Sequence, residues 1–254
     1  GHPTLLKSTA MIALTSWMES SLHAFAKLTY QPYHLALQKR LDKQGELTIC
    51  VVGANDGKIN DPVYGFAMHH RDQTRMILIE PQADLQEPLK RNYKSHPNVQ
   101  FIEGAVGSED QLSLYTVHPK YWPQTQPFYA KAWPNYRAPS GMASMDRARV
   151  ADWLERFVSA PTDGVVETRI QVQPLVEWLQ TNHLDSGIDV LQVDTEGVDD
   201  EVIYHSNLEI TQPHIIYFES KNLARPRLKK LRNYLSGLGY QCRQILGNIL
   251  AQRV

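Results

Sequence analysis

"VVGANDG", at Val51–Gly57, closes the apolar run Ile49-Cys50-Val51-Val52 with two glycines that bracket an amide and a carboxylate. Such a run is buried-strand material, and the carboxyl end of a strand is where an open parallel sheet receives its ligand. Gly53 and Gly57 let the backbone turn tightly and approach a ligand with no Cβ in the way. A dinucleotide-binding turn needs G-x-G-x-x-G, whose free N–H groups face a pyrophosphate. Here Asn55 takes the place of the middle glycine, the third is missing, and Asp56 puts an acid inside the turn. An acid there repels phosphate and attracts an ammonium or a sulfonium. The turn therefore points away from a nicotinamide dinucleotide and towards S-adenosylmethionine (SAM).

The later strand ends extend this reading. "MILIE" (Met76–Glu80) ends in Glu80, about 20 residues beyond the turn, where nucleotide-binding sheets place an acid on the ribose hydroxyls. A carboxylate can accept both vicinal hydroxyls at once. "VQFIE" (Val99–Glu103) runs into Gly104-Ala105, where adenine is expected; Ala105 would offer a backbone N–H and Glu103 an acceptor for the exocyclic amine. "IDVLQVD" (Ile188–Asp194) opens a crowd of acids: Asp194, Glu196, Asp199, Asp200 and Glu201. Asp199–Glu201 fit the first turn of a helix, where the macrodipole favours negative charge. Asp194 and Glu196 precede that turn, at the mouth of the site, and are the candidates for chemistry. "HIIYFES" adds Glu219 at the next strand end.

Strands alternate with helices at Asp61–His70, Ala83–Tyr93, Arg147–Val158, Leu175–Thr181, the segment from Asp199, and Arg225–Leu238. That order predicts an α/β chain with a parallel sheet covered on both faces. "QLSLYTV" (Gln111–Val117) alternates like an edge strand, and a short strand is expected around Thr168–Val172. "YQCRQI", a Gly-Asn turn and "ILAQRV" predict a terminal hairpin that adds an antiparallel edge. Residues 1–45 form an N-terminal helical extension, two helices interrupted near Gln31-Pro32, with Gly1-His2 resembling an expression scar; residues 46–254 form the main domain. Within it, 119–146 is a flap. Its aromatics and those beside it, Tyr115, Tyr121, Trp122, Phe128, Tyr129, Trp133 and Tyr136, either pack the loop down or form a wall for a sugar ring.

Composition narrows the function. The chain has 254 residues, 42% hydrophobic and 21% charged, with a formal net charge of −1, so no global field recruits nucleic acid or an anionic membrane. Two cysteines build no disulfide framework and suggest a reducing, cytoplasmic setting. The most apolar N-terminal stretch, "MIALTSWM", is too short to span a bilayer. The basic runs "QKRLDK" and "RPRLKK" fit solvated helix faces.

Together "VVGANDGKINDPV", "MILIEPQADLQEPLKRNY", "VLQVDTEGVDDEVI" and "PHIIYFESKNL" resemble the FkbM-type family of SAM-dependent methyltransferases, over roughly Leu47 to Leu223. The resemblance implies a Rossmann-like class I methyltransferase fold of seven strands and methylation of a hydroxyl on a sugar, glycan or natural product. By position it implies a SAM site of Gly53, Asn55, Asp56, Gly57 and Glu80, with Asp194 and Glu196 at the reacting end. "SGMASM" resembles the serine segment that such proteins lay over the cofactor, which makes Ser144 a contact. Asn248 stands where the family pattern leads one to expect an aspartate.

A hydroxyl must lose its proton to accept a methyl group. Two routes are open from the residues: a base (Asp194, Glu196, His118 or His69), or Mg²⁺ held by Asp194, Glu196 and Glu219. Two rival functions are a nicotinamide-dependent oxidoreductase, opposed by the missing glycine, and a non-catalytic SAM-binding scaffold.

Overall fold

The computed structural model describes residues 30–254 except 109, 160, 162 and 186, together with the backbone but not the side chain of Tyr129. The expected helices before residue 30 lie outside the described residues. Residues 30–44 form one helix, α1, with Gln31-Pro32 in its first described turn. It is held by a stripe at helical spacing: Tyr33, Leu37 and Leu41 are all buried against the sheet. Burying Leu37 and Leu41 contributes about 1.5–3 kcal/mol each.

Ten strands follow: β1 (Leu47–Val52), β2 (Thr74–Ile79), β3 (Val99–Ile102), β4 (Ala105–Val106), β5 (Gln111–Val117), β6 (Val165–Gln173), β7 (Val190–Val193), β8 (Ile215–Glu219), β9 (Tyr240–Ile245) and β10 (Asn248–Arg253). The helices after α1 are α2 (Tyr64–His69), α3 (Gln86–Asn92), α4 (Arg137–Ser140), α5 (Arg147–Glu155), α6 (Leu175–Thr181), α7 (Asp199–Tyr204), α8 (Leu208–Thr211) and α9 (Arg225–Gly237). The main sheet has the order β3-β2-β1-β7-β8-β10-β9. Every pair in it is parallel except those made by β10. The hairpin turn is Leu246-Gly247 rather than Gly-Asn, because Asn248 already pairs with Ile245.

Alternation along the strands divides the core. Ile49, Val51, Val190 and Tyr217 face α1, α2 and α3; Cys50, Val52, Leu191 and Phe218 face α6, α7 and α9. The chain leaves β1 for β2 and β3, then returns to β7 on the other side of β1. That reversal opens a crevice above the carboxyl ends of β1 and β7.

The expected edge strand Gln111–Val117 does lie at an edge, but of a second sheet, β4-β6-β5. The strand expected around Thr168–Val172 extends over Val165–Gln173 because it pairs along the whole of β5. The helix predicted from Asp61 begins at Tyr64, since the Asp61 carboxylate accepts from the Val63 and Tyr64 N–H groups and caps the turn ahead of it.

Candidate functional site

A cavity of about 680 Å³ occupies the crevice, within the size range of small-molecule sites. Its floor comes from the ends of four strands: Gly53 and Asn55 after β1, Glu80 after β2, Gly104 and Ala105 after β3, Asp194 and Glu196 after β7. Its roof is the segment from Arg137 to Arg149, including Ser140 and Ser144. Of the site residues singled out in the sequence, Gly53, Asn55, Glu80, Ala105, Ser144, Asp194 and Glu196 line the cavity, while Asp56, Gly57, Glu103 and Glu219 do not.

The glycines answer to neighbouring protein. Gly53 has φ +80°, and a Cβ there would stand 2.0 Å from the Asp194 carbonyl oxygen. Its bareness lets β1 and β7 end side by side. Gly53→Ala is expected to cost at least ~2 kcal/mol, seen as a Tm drop of several degrees in thermal melts. At Gly57 a Cβ would meet Leu89 on α3 and Tyr93 just beyond it, so this residue brings the loop onto the helix.

Asp56 corrects the electrostatic reading of the turn. Its carboxylate is 1% exposed and turned inward, where Oδ1 accepts from the Lys58 and Ile59 N–H groups at 3.0 Å and Oδ2 from the Tyr136 hydroxyl at 3.2 Å. The Arg137 guanidinium lies 4.0 Å away. Asn55, at φ +51°, reverses the chain there. Asp56 therefore braces the loop under the lid, and the acids that line the cavity are Glu80, Asp146, Asp194, Glu196 and Glu201.

Glu80 is 3% exposed; Oε2 accepts from Asn55 N–H at 2.7 Å and Oε1 from Gln82 N–H at 2.9 Å. Burial raises its carboxyl, opposed by the hydrogen bonds from Gln82 and Asn55. Each oxygen keeps a lone pair for a ligand hydroxyl.

The lid supplies contacts that sequence order hides. Ser140 Oγ donates to Asn55 Oδ1 at 3.1 Å, and Gln82 Nε2 donates to the Ser140 carbonyl. Arg137 donates to the Ile59 carbonyl, and Arg149 to the Glu196 carbonyl at 2.8 Å. Ser144 bridges to Tyr115 through the backbone, and its hydroxyl accepts from Asp146 N–H. None of the flap aromatics with a described side chain lines the cavity. Trp122 donates its indole N–H to the Val117 carbonyl, and Tyr115, Tyr121 and Trp122 pack on Val117, Val150 and Leu154. These three rings pack the flap onto the core.

At the mouth, Asp194, Glu196 and Glu219 each bring one carboxylate oxygen within 4.8 Å of the others. Asp194 is exposed to the cavity, while Glu196 and Glu219 are half-buried. Burial first, and then the charges of Glu219, Glu196, Asp199 and Asp61, raise its carboxyl well above the usual range. Glu196 sits at φ +54°, a conformation that costs a non-glycine residue energy and clusters at working sites. An all-oxygen trio suits a hard cation in type. The charge is already compensated, however: Lys221 Nζ lies 2.5 Å from Glu219 Oε1 and Arg149 pairs with Glu196 at 3.4 Å. Asn222 Nδ2 donates to both Glu196 and Glu219. A divalent ion would have to displace the ammonium, so the set fits Mg²⁺ poorly.

Behind the trio, Asp199 accepts from the Thr195 hydroxyl at 3.0 Å and from Glu219 N–H at 3.2 Å, tying the β7 loop to β8; burial pushes it up to about 7. The hairpin tip holds the other flank. The Gly247 carbonyl accepts from Ser220 N–H at 2.8 Å and Lys221 N–H at 3.1 Å. His69 and His118 are both outside the cavity lining.

A seven-stranded sheet with the sixth position antiparallel, and a cavity over the β1/β7 crossover, is the class I SAM-dependent methyltransferase fold. Residues 52–242 match the methyltransferase FkbM domain model, and the chain belongs to that family. It is a SAM-dependent methyltransferase. No curated protein sequence matches the chain. Among solved structures, it is similar to precorrin-6y C5,15-methyltransferase from Geobacter metallireducens, with 11% identity over 82% of this chain and 81% of that one and a TM-score of 0.39. Fibrillarin from Aeropyrum pernix, solved with bound SAM, gives 12%, 81%, 66% and 0.40 in the same order. A SAM-dependent methyltransferase from Aquifex aeolicus gives 12%, 85%, 89% and 0.38. Likenesses this remote say nothing about substrate. Among the described residues no helix is long and apolar enough to cross a membrane.

Proposed function

We propose that the chain methylates a hydroxyl oxygen on a polar small molecule, a sugar, glycan or hydroxylated natural product, with Asp194 as the general base. The observation that carries this reading is the Asp194 carboxyl lining the cavity with an oxygen within 4.8 Å of Glu196 and Glu219, whose charges help to raise it above its ordinary range. A carboxylate of raised proton affinity is a stronger base for an alcohol than a solvated one. In this reading Glu80 receives the ribose hydroxyls, Gly53, Asn55 and Ala105 border the cofactor, and Ser144 closes over it. Asp56 and Gly57 support the loop from behind.

SAM, held by Glu80, Gly53, Asn55 and Ala105, would supply an electrophilic methyl group, and Asp194 would take the proton that the acceptor hydroxyl gives up. Holding donor and acceptor aligned supplies about 7–11 kcal/mol. Lys221, Asn222 and Glu196 give the mouth a polar, hydrogen-bonding lip, which suits a polyhydroxylated acceptor better than an apolar one.

The test is transfer of radiolabelled methyl from SAM to a panel of neutral sugars, phenols and amines. Hydroxyl compounds are expected to be labelled; labelling confined to amines would overturn the oxygen assignment. The same assay in excess EDTA is expected to keep its full rate, and a loss restored by Mg²⁺ would replace the base with a metal.

A further inference from the structure

Beneath the mouth, on the α1 face of the sheet, lies a group of buried polar atoms that the reaction above does not use. Tyr33, Tyr93, Gln192 and Tyr217 are each no more than 2% exposed. Yet the three hydroxyls and Gln192 Oε1 have no hydrogen-bond partner among the described residues. Four such orphans in one place are costly, about 1–3 kcal/mol each if left dry. A buried water makes about three hydrogen bonds and removes that cost.

The atoms share a neighbourhood. Gln192 on β7 and Tyr217 on β8 are register partners. The Tyr33 ring, from α1, stacks on Tyr217 with centroids 4.1 Å apart. Gln192 Nε2 donates to Asp61 Oδ2 at 3.4 Å, leaving Oε1 as the unpaired end. The two-residue period of a strand puts Asp194 on the same face as Gln192, and Glu219 on the same face as Tyr217. One side of the group thus adjoins the reacting carboxyl and the other adjoins Asp61.

We propose that Tyr33, Gln192 and Tyr217 enclose ordered water that conducts the proton from Asp194 to Asp61, a rear exit from the site. The proposal rests on Asp194 being the base. During turnover the cavity side of Asp194 is covered by cofactor and acceptor, so a proton taken from the hydroxyl has no route forward until product leaves. Through the rear, the Asp194 carboxyl gives its proton to a water, which passes one on by way of the Tyr217 hydroxyl to the Asp61 carboxylate. Asp61 then releases it to solvent. The overall balance is hydroxyl plus sulfonium giving methyl ether, thioether and one free proton. Asp61 suits a relay, since burial pushes it up to about 6 against the N–H groups of Val63 and Tyr64 and the Gln192 amide. The charged and titratable groups around it are Asp56 from its own loop, Tyr30 and Tyr33 from α1, Tyr93 beyond α3, and Asp194 beyond β7.

Two measurements on the full chain test this. A crystal structure with S-adenosylhomocysteine, at a resolution that shows water, is expected to place waters bonded to Tyr33, Gln192 and Tyr217. A dry chamber, or one filled by a side chain from residues 1–29, would overturn the proposal. Single-turnover proton release, followed with an indicator dye and a hydroxyl acceptor from the panel above, is expected to keep pace with methyl transfer. In Asp61→Asn and Tyr217→Phe the release is expected to lag about tenfold or more while methyl transfer holds. If the parent protein frees its proton only with product, the rear exit falls and the base assignment stands. If Asp194→Asn keeps its rate, the base assignment itself is at fault.

Discussion

Glu80→Ala should lower affinity for S-adenosylhomocysteine by about 100-fold or more, measured by calorimetry. The carboxylate holds Asn55 N–H at 2.7 Å and Gln82 N–H at 2.9 Å, so its removal loosens two loops of the cavity floor and takes away the ribose acceptor together. Hydrogen bonds to a charged group are worth about 1.5–3 kcal/mol, and two at the lower limit give about 3 kcal/mol. At 1.4 kcal/mol per tenfold, that is the expected loss. Glu80→Gln separates fold from binding. Its amide accepts one of the two N–H groups and turns an NH₂ towards the other, so it keeps the volume and loses the pairing. An affinity within about twofold of the parent for both variants would remove Glu80 from the cofactor site.

Asp194→Asn is expected to cut kcat about 10²–10⁴-fold while cofactor affinity changes little, the range ascribed to a positioned base. The pH profile gives an independent check. A base must be unprotonated to act, and the Asp194 carboxyl is raised by burial and then by Glu219, Glu196, Asp199 and Asp61. Activity should therefore fall as pH drops through a value well above the usual carboxylate range, and be fully present only above it. The asparagine variant should lose that limb. If its profile keeps the limb at an unreduced rate, another group takes the proton.

The sequence signals that worked were those fixed by the chain's own periodicity. Glu80 and Asp194 each follow an apolar strand directly, and in a parallel sheet the carboxyl ends of neighbouring strands meet. Their convergence followed from strand order alone. Asp56 shows the boundary of that logic. With Asn55 at φ +51° the next side chain points away from the cavity, and nothing in "GANDG" tells which way a turn aims its acid. Ser140 and Asn55 meet across 85 positions, with β2 to β5 and most of the flap between, so neither short-range pattern nor spacing connects them. Ser144, picked for its neighbourhood, lines the same roof through a different edge.

The contact between Gly247 and the Ser220–Lys221 backbone ties the β9–β10 hairpin to the flank of the cavity mouth. Glu219, Lys221 and Asn222 hang from a rope whose far knot is tied in the closing hairpin. Whatever unseats the β9–β10 hairpin is therefore felt at the cavity mouth through backbone contacts alone.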